Sequence, residues 1–353
     1  ISQVMIIVLR GKMHNMNEQE SKKSRQSGGR SALWALLGLI VGFSLPVLIC
    51  MGIFFVFVLG LSAIGSGGGA AGPGIPVHVS GPLTGPAIAV IEVNGPITSG
   101  RAPAFNSIPI AASEDLTRII RFTTKDPDVK AILLKVNSPG GSVVASDQIY
   151  QELKNAHLPI VVLMGEMSAS GGYYISVAGD YLIANPNTLA GSIGVISTIP
   201  NAEELFEKVG VEFNVFTSGD AKDFGSLYRN MTPEETGYWQ GVIDETHDGF
   251  VAIVAEGRNM SEDEVRALAD GRVYTGRQAL ELGLVDALGY ERDAINKAAK
   301  LGIIGGEPRV IRYTSDTGFF SLLDGLVNVP QNGVPYKWIE WMLTPRLEFR
   351  WVP

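Results

Sequence analysis

The sequence predicts an α/β layered domain preceded by one transmembrane helix, on three observations. Short apolar runs alternate with amphipathic stretches between residues 86 and 305, the pattern of strands interleaved with helices. No charged residue stands between Arg30 and Glu92, and 32–64 within that interval is nearly all apolar. Glycine pairs follow two of the apolar runs, at Gly140 and Gly141 and at Gly171 and Gly172, where a strand would turn into a helix. A chain of 353 residues holds one sizeable core together with a membrane segment and tails.

Residues 1–31 read as a cytoplasmic N-terminal segment, with a more natural start at Met13 or Met16 than at Ile1. Lys12, Lys22, Lys23, Arg25 and Arg30 precede the apolar run, whereas the first basic residue after it is Arg101. That asymmetry puts the N-terminus in the cytoplasm and the following domain across the membrane. About 20 residues span a hydrocarbon core, so 32–64 leaves room for tilt or a bend near Pro46. A cleaved leader has an apolar core of about 7–15 residues, so the run is read as a retained anchor.

Residues 65–85, rich in Gly, Pro and Ser, read as a tether. Within the domain at 86–305, strands are expected near Ile88, Ala131, Ile160, Tyr181 and Glu212, and helices near Ser113, Ser142, Ser170 and Asn201. The helix from Ser142 to Leu153 would carry Val143, Val144, Ile149, Tyr150 and Leu153 on or near one face. Thr232 opens a longer helix with Pro233 in its first turn and Glu235 at the capping-box position, running to about Glu256. Beyond Leu301 the pattern weakens. The tail at 306–353, with Trp338, Trp341, Phe349 and Trp351, is left between packing on a neighbour, resting on a membrane surface and occupying a peptide groove.

Composition excludes several classes. The net charge of −8 offers no overall basic surface, so no nucleic-acid partner is expected. Cys50 is the single cysteine, which rules out an internal disulfide and a cysteine metal cluster. Neither an HExxH stretch nor a phosphate-binding glycine-lysine loop is present, so no metal and no other cofactor is expected.

The candidate chemistry centres on Ser170. Val161 to Met164 read as a buried strand, and Gly171 and Gly172 leave the backbone after Ser170 uncovered. Amide donors there could face one oxygen, as a tetrahedral oxyanion requires. Ser168 is the rival nucleophile and lacks a following glycine pair. None of the four histidines, His14, His78, His157 and His247, stands in an evident partnership with Ser170, although a Ser/His/Asp triad is recognised by geometry and not by spacing. A lysine is the better candidate base, and Lys222 lies between turn-forming residues in SGDAKDFGS. A free lysine has a pKa of about 10.4, so burial or a nearby cation must favour its neutral form. Asp220 and Asp223 flank Lys222 and would oppose this, so the reading requires both acids to turn away.

Together these residues carry a resemblance. IAVIEVNGPI at Ile88 to Ile97, NSPGGS at Asn137 to Ser142, SASGGYY at Ser168 to Tyr174, GSIGV at Gly191 to Val195, SGDAKDFGS at Ser218 to Ser226 and RVYTGRQALELGLVD at Arg272 to Asp286 stand in this order. In that order the chain resembles the short form of bacterial signal peptide peptidase A, over roughly Ile88 to Leu301. The resemblance implies a crotonase-like or Clp-protease-like layered fold and a serine endopeptidase with a Ser/Lys dyad. It assigns Ser170 as nucleophile, Lys222 as general base and Ser192 as a hydrogen-bonding partner that orients the lysine amine.

One oxyanion donor, the Gly171 amide, would not suffice, and the turn at Pro139, Gly140 and Gly141 can supply a second from Gly140 or Gly141. The resemblance further implies remnant signal peptides as substrates, along with other short or unfolded chains, and a homo-oligomeric ring of eight. Ser170 of one protomer would meet Lys222 of its neighbour. Two rivals are an acyl-CoA enzyme of crotonase type and a non-catalytic membrane scaffold.

Overall fold

Four apolar strands in parallel register form the frame of the domain: β2 (Ala87–Asn94), β5 (Val129–Ser138), β7 (Ile160–Ala169) and β8 (Tyr181–Ala184). The computed structural model describes residues 76–102, 109–313 and 347–350. The expected span at 32–64 lies outside the described residues, as do His14, Cys50, Trp338, Trp341 and Trp351. Among the described residues no helix is long and apolar enough to cross a membrane.

Near-continuous hydrophobic strands suit a parallel sheet covered on both faces, and alternate residues of each strand feed opposite cores. Ala89, Ile91, Ile132, Leu134 and Val162 pack on one face. They meet Leu116 and Ile120 of α1 (Ser113–Thr123), Ile149 of α2 (Val143–Lys154) and Phe250 of a long helix described below. Ile88, Val90, Ala131, Leu133 and Val161 face the other way, against Ala294 and Ala298 of a C-terminal helix, Glu291–Leu301. Leu133 and Leu134, adjacent on β5, are both fully buried, so the α/β layering expected from the apolar runs is the one observed.

The sheet continues past β2 through two strands that the sequence reading did not anticipate. Pro76–Ser80 (β1) falls in the expected tether at 65–85, and Arg309–Tyr313 falls in the expected tail. They pair antiparallel with each other, and the second pairs parallel with β2. All five β1 residues are exposed, so its place comes from the backbone ladder and not from buried side chains; composition therefore hides it. His78, read as a tether residue, lies on this edge strand.

Two further expectations need correction. No strand forms near Glu212, although Val211, Phe213 and Val215 alternate as a strand would, and among the described residues no strand pairs with them. Phe213 instead stacks on Tyr228 at 5.0 Å and meets Phe206 edge-on at 4.7 Å. Val144 does not share the apolar face of α2: it is 61% exposed, while Ile149, Tyr150 and Leu153 are buried.

Three elements position the site. The short strand β6 (Gly140–Ser142) leaves β5 and leads into α2, whose first turn is capped by the Ser142 hydroxyl accepting from the Ala145 amide. The helix α3 (Gly171–Ser176) follows β7 directly. The long helix Pro233–Arg258 begins at a complete capping box, as expected: the Thr232 hydroxyl accepts from the Glu235 amide and the Glu235 carboxylate from the Thr232 amide. Only the C-terminal half of this helix enters the core, through Phe250, Val251, Val254 and Ala255.

Candidate active site

Ser170 sits between the end of β7 and the first residue of α3, with φ 54° and ψ −119°, and it is 1% exposed. A positive φ is costly for a residue with a Cβ and is held only where neighbours over-determine it. Two backbone bonds do so: the Ser170 amide donates to the Gly191 carbonyl at 2.7 Å, and its carbonyl accepts from the Tyr174 amide at 2.8 Å. The parallel register of β7 with Leu189–Gly191 (β9) pairs Ala169 with Gly191, so Ser170 and Ser192 emerge side by side from adjacent strands. Ser192 also has positive φ, 51°, and its amide donates to the Arg272 carbonyl at 2.8 Å.

Glycine is required where β6 meets the start of α3. A methyl added to Gly140, φ 90°, would collide with the Phe349 carbonyl oxygen and lie 2.5 Å from the Gly171 amide nitrogen. One added to Gly171 would lie 2.5 Å from Ser146 Oγ and 3.1 Å from the same Phe349 oxygen. The predicted oxyanion glycines are thus neighbours in space. The Gly140 amide donates to Ser138 Oγ at 3.1 Å, while Gly141 is the register partner of Phe349.

Phe349 belongs to the C-terminal strand Glu348–Arg350, which was not foreseen at this site. That strand runs antiparallel to β6 and, on its other side, exchanges two backbone bonds with Ile196, at 3.0 and 3.1 Å. The Phe349 ring is 1% exposed, stacked on Tyr174 at 4.9 Å and tilted against Phe250 at 4.7 Å. Phe349 is thus packed into the domain's own core, while Trp338, Trp341 and Trp351 lie outside the described residues. The signal lay in an aromatic flanked by charges, Glu348 and Arg350, at strand spacing.

Ser168, the rival nucleophile, is fully buried and hydrogen-bonded to Ser176 Oγ at 2.9 Å and the Gly172 carbonyl at 3.2 Å, a structural engagement. Among the described residues no histidine is bonded to Ser170; His247 instead lines a cavity of about 430 Å³ with Ser192, Asp244 and Arg350. A larger cavity of about 760 Å³, at the ends of β2, β5 and β7, contains none of the predicted site residues.

Lys222 stands apart. It lies in a turn with its amide on the Gly219 carbonyl at 3.1 Å, its side chain exposed. Among the described residues no hydrogen bond or ion pair joins that side chain to Ser170 or Ser192. Asp223, next to it, is taken up by Arg229, whose Nε and Nη2 donate to the two carboxylate oxygens at 2.7 Å each. The same guanidinium donates to both oxygens of Glu235, at 2.7 and 2.9 Å. Arg229 holds the Asp223 carboxyl below its ordinary range and, with the Thr232 amide, pulls that of Glu235 down to about 2.

Comparison with known proteins bears on the family of the chain. Residues 152–304 match the family described as Peptidase family S49, and 84–208 match the ClpP-like SDH-type serine proteinases. The chain is 44% identical over 216 residues to the Synechocystis sp. protein slr0021, named as a candidate protease, covering 61% of this chain and 74% of that protein. It is 39% identical over 238 residues to an Enterococcus faecium protein named as a candidate signal peptide peptidase SppA, covering 66% and 69%. Protease 4 of Haemophilus influenzae is 35% identical over 265 residues, 73% of this chain but 42% of that longer protein. On these sequence matches the chain belongs to peptidase family S49, as a serine peptidase of SppA type.

Proposed function

We propose that the chain is a membrane-anchored endopeptidase in which Ser170 and Lys222 form a Ser/Lys dyad that degrades remnant signal peptides and other short or unfolded chains. The observation that carries this reading is the placement of Ser170, at positive φ between β7 and α3, with Gly140 against the Gly171 amide. Neutral Lys222 takes the Ser170 hydroxyl proton as Oγ attacks the scissile carbonyl carbon, and the oxyanion is held by Gly171 with Gly140 or Gly141. The lysine then passes that proton to the leaving amine, giving an acyl-enzyme. A water molecule, deprotonated by the same lysine, releases the acid and returns Ser170. Ser192 orients the amine.

Lys222 is exposed in one protomer, which suits a dyad completed between copies, in the ring of eight that the family resemblance implies. The charge-free stretch at 32–64 serves as the single anchor, with the N-terminus cytoplasmic and the catalytic domain outside. An extended substrate pairs with β6 by taking the place that the Glu348–Arg350 segment holds in this protomer.

Ser170→Ala and Lys222→Ala should each abolish peptide cleavage while leaving the thermal melt and oligomeric size unchanged, with Ser192→Ala lowering the rate less. A fluorophosphonate probe should label Ser170 in the full-length protein. Normal turnover by Lys222→Ala protein, free of wild type, would remove the dyad.

A further inference from the structure

We propose that Arg229 is a positioning residue for the reaction, which frees Lys222 to act as a base by neutralising Asp223 and tying the Lys222 loop to the start of the long helix. This rests on Lys222 being the base. The sequence poses the difficulty directly, since a base that must shed its proton is followed by an acid that would hold the proton on. The fold answers it with four hydrogen bonds of 2.7 to 2.9 Å from one guanidinium to two carboxylates.

The geometry is specific to arginine. One edge of the fork grips both Asp223 oxygens while the other reaches both Glu235 oxygens, an arrangement that an ammonium point charge cannot reproduce. Glu235 is fixed by the capping box of Pro233–Arg258, so the clamp refers Asp223, and with it the neighbouring Lys222, to the frame of a 26-residue helix. The three side chains are between 13% and 26% exposed, partly withdrawn from solvent screening. The charged groups of the Lys222 turn and of the helix start to which it is tied are Asp220, Asp223, Arg229 and Glu235, and Asp220 is the acid the clamp does not take up.

The proposal makes opposite predictions for the two ends of the clamp. Arg229→Gln leaves Asp223 beside Lys222 with its charge uncompensated. The acid limb of the pH–kcat profile for a neutral peptide should then move to higher pH, by about one unit. Asp223→Asn keeps the cation and loses the acid, so the limb should move to lower pH or stay. The double variant Arg229→Gln/Asp223→Asn removes both charges and should return the limb close to wild type. A purely structural role would lower kcat at every pH without displacing the limb and would not be relieved by the second change. An unshifted limb in Arg229→Gln, or a double variant that keeps the displaced limb, overturns the proposal. If Arg229→Gln fails to fold, Asp223→Asn decides alone: a limb moved to higher pH overturns it. Activity persisting in Lys222→Ala would instead remove the dyad itself, a separate result.

Discussion

At Ser170, Gly140 and Gly171 the backbone sets the geometry of the candidate site. The serine is held at φ 54° by two main-chain bonds, and the glycines are needed because β6 and the first turn of α3 approach too closely for a Cβ. The colliding atoms at Gly140 are backbone atoms, a carbonyl oxygen and an amide nitrogen, which cannot swing aside. Gly140→Ala should therefore displace the Gly171 amide and lower kcat by a factor on the order of 100, the scale on which oxyanion donors act. The thermal melt should move by only a few degrees, and a Gly140→Ala enzyme with wild-type kcat would separate this contact from catalysis. The serine and both glycine pairs were legible in the sequence because strand, turn and helix follow one another within a few residues there. The Arg229 clamp was not, since its two carboxylates, each six residues away, are brought together only by the folded loop.

Elements were legible where side-chain burial specifies them and illegible where the backbone alone does. The parallel core strands and the capped helix at Thr232 announce themselves through apolar runs and the Thr, Pro and Glu at its start. Val211 to Val215 alternates like a strand yet finds no partner, whereas Pro76–Ser80 buries nothing and is a strand because another edge accepts it. Glu348–Arg350 depends likewise on long-range pairing, to β6 and to Ile196, with Phe349 seated between Tyr174 and Phe250. An added peptide that pairs with β6 meets this strand already in place. Phe349→Asp puts a charge into an apolar, aromatic seat, which costs enough to release a three-residue strand. Cleavage of an added peptide should rise several-fold in that variant, chiefly through a lower KM. A KM equal to or above that of the wild type would show that the strand does not compete with substrate.

At the scale of the whole molecule, Ser170 and Ser192 are buried while Lys222 is exposed. The segment that carries Lys222 also exposes Val211, Phe213, Val215 and, at 95%, Phe216, and the N-terminal half of the adjoining long helix contributes nothing to the core. Apolar side chains exposed at this density favour coverage by another copy, although Phe213 is partly covered by Phe206 and Tyr228. Coverage would also withdraw the exposed Lys222 side chain from water, as the proposed dyad requires. The sequence could suggest this only through its resemblance to a ring-forming family, because exposure is a property of the folded chain. Complementation tests it. Ser170→Ala and Lys222→Ala proteins, each inactive alone, are mixed under conditions that allow subunits to exchange. Interfaces that pair an intact Ser170 with an intact Lys222 then form, and peptide cleavage should return to an appreciable fraction of the wild-type rate. The recovered rate should follow the fraction of mixed oligomers, measured by native mass spectrometry. If oligomers verified as mixed stay inactive while wild type carried through the same exchange cleaves normally, serine and lysine must come from one chain, and the exposed segment has another use.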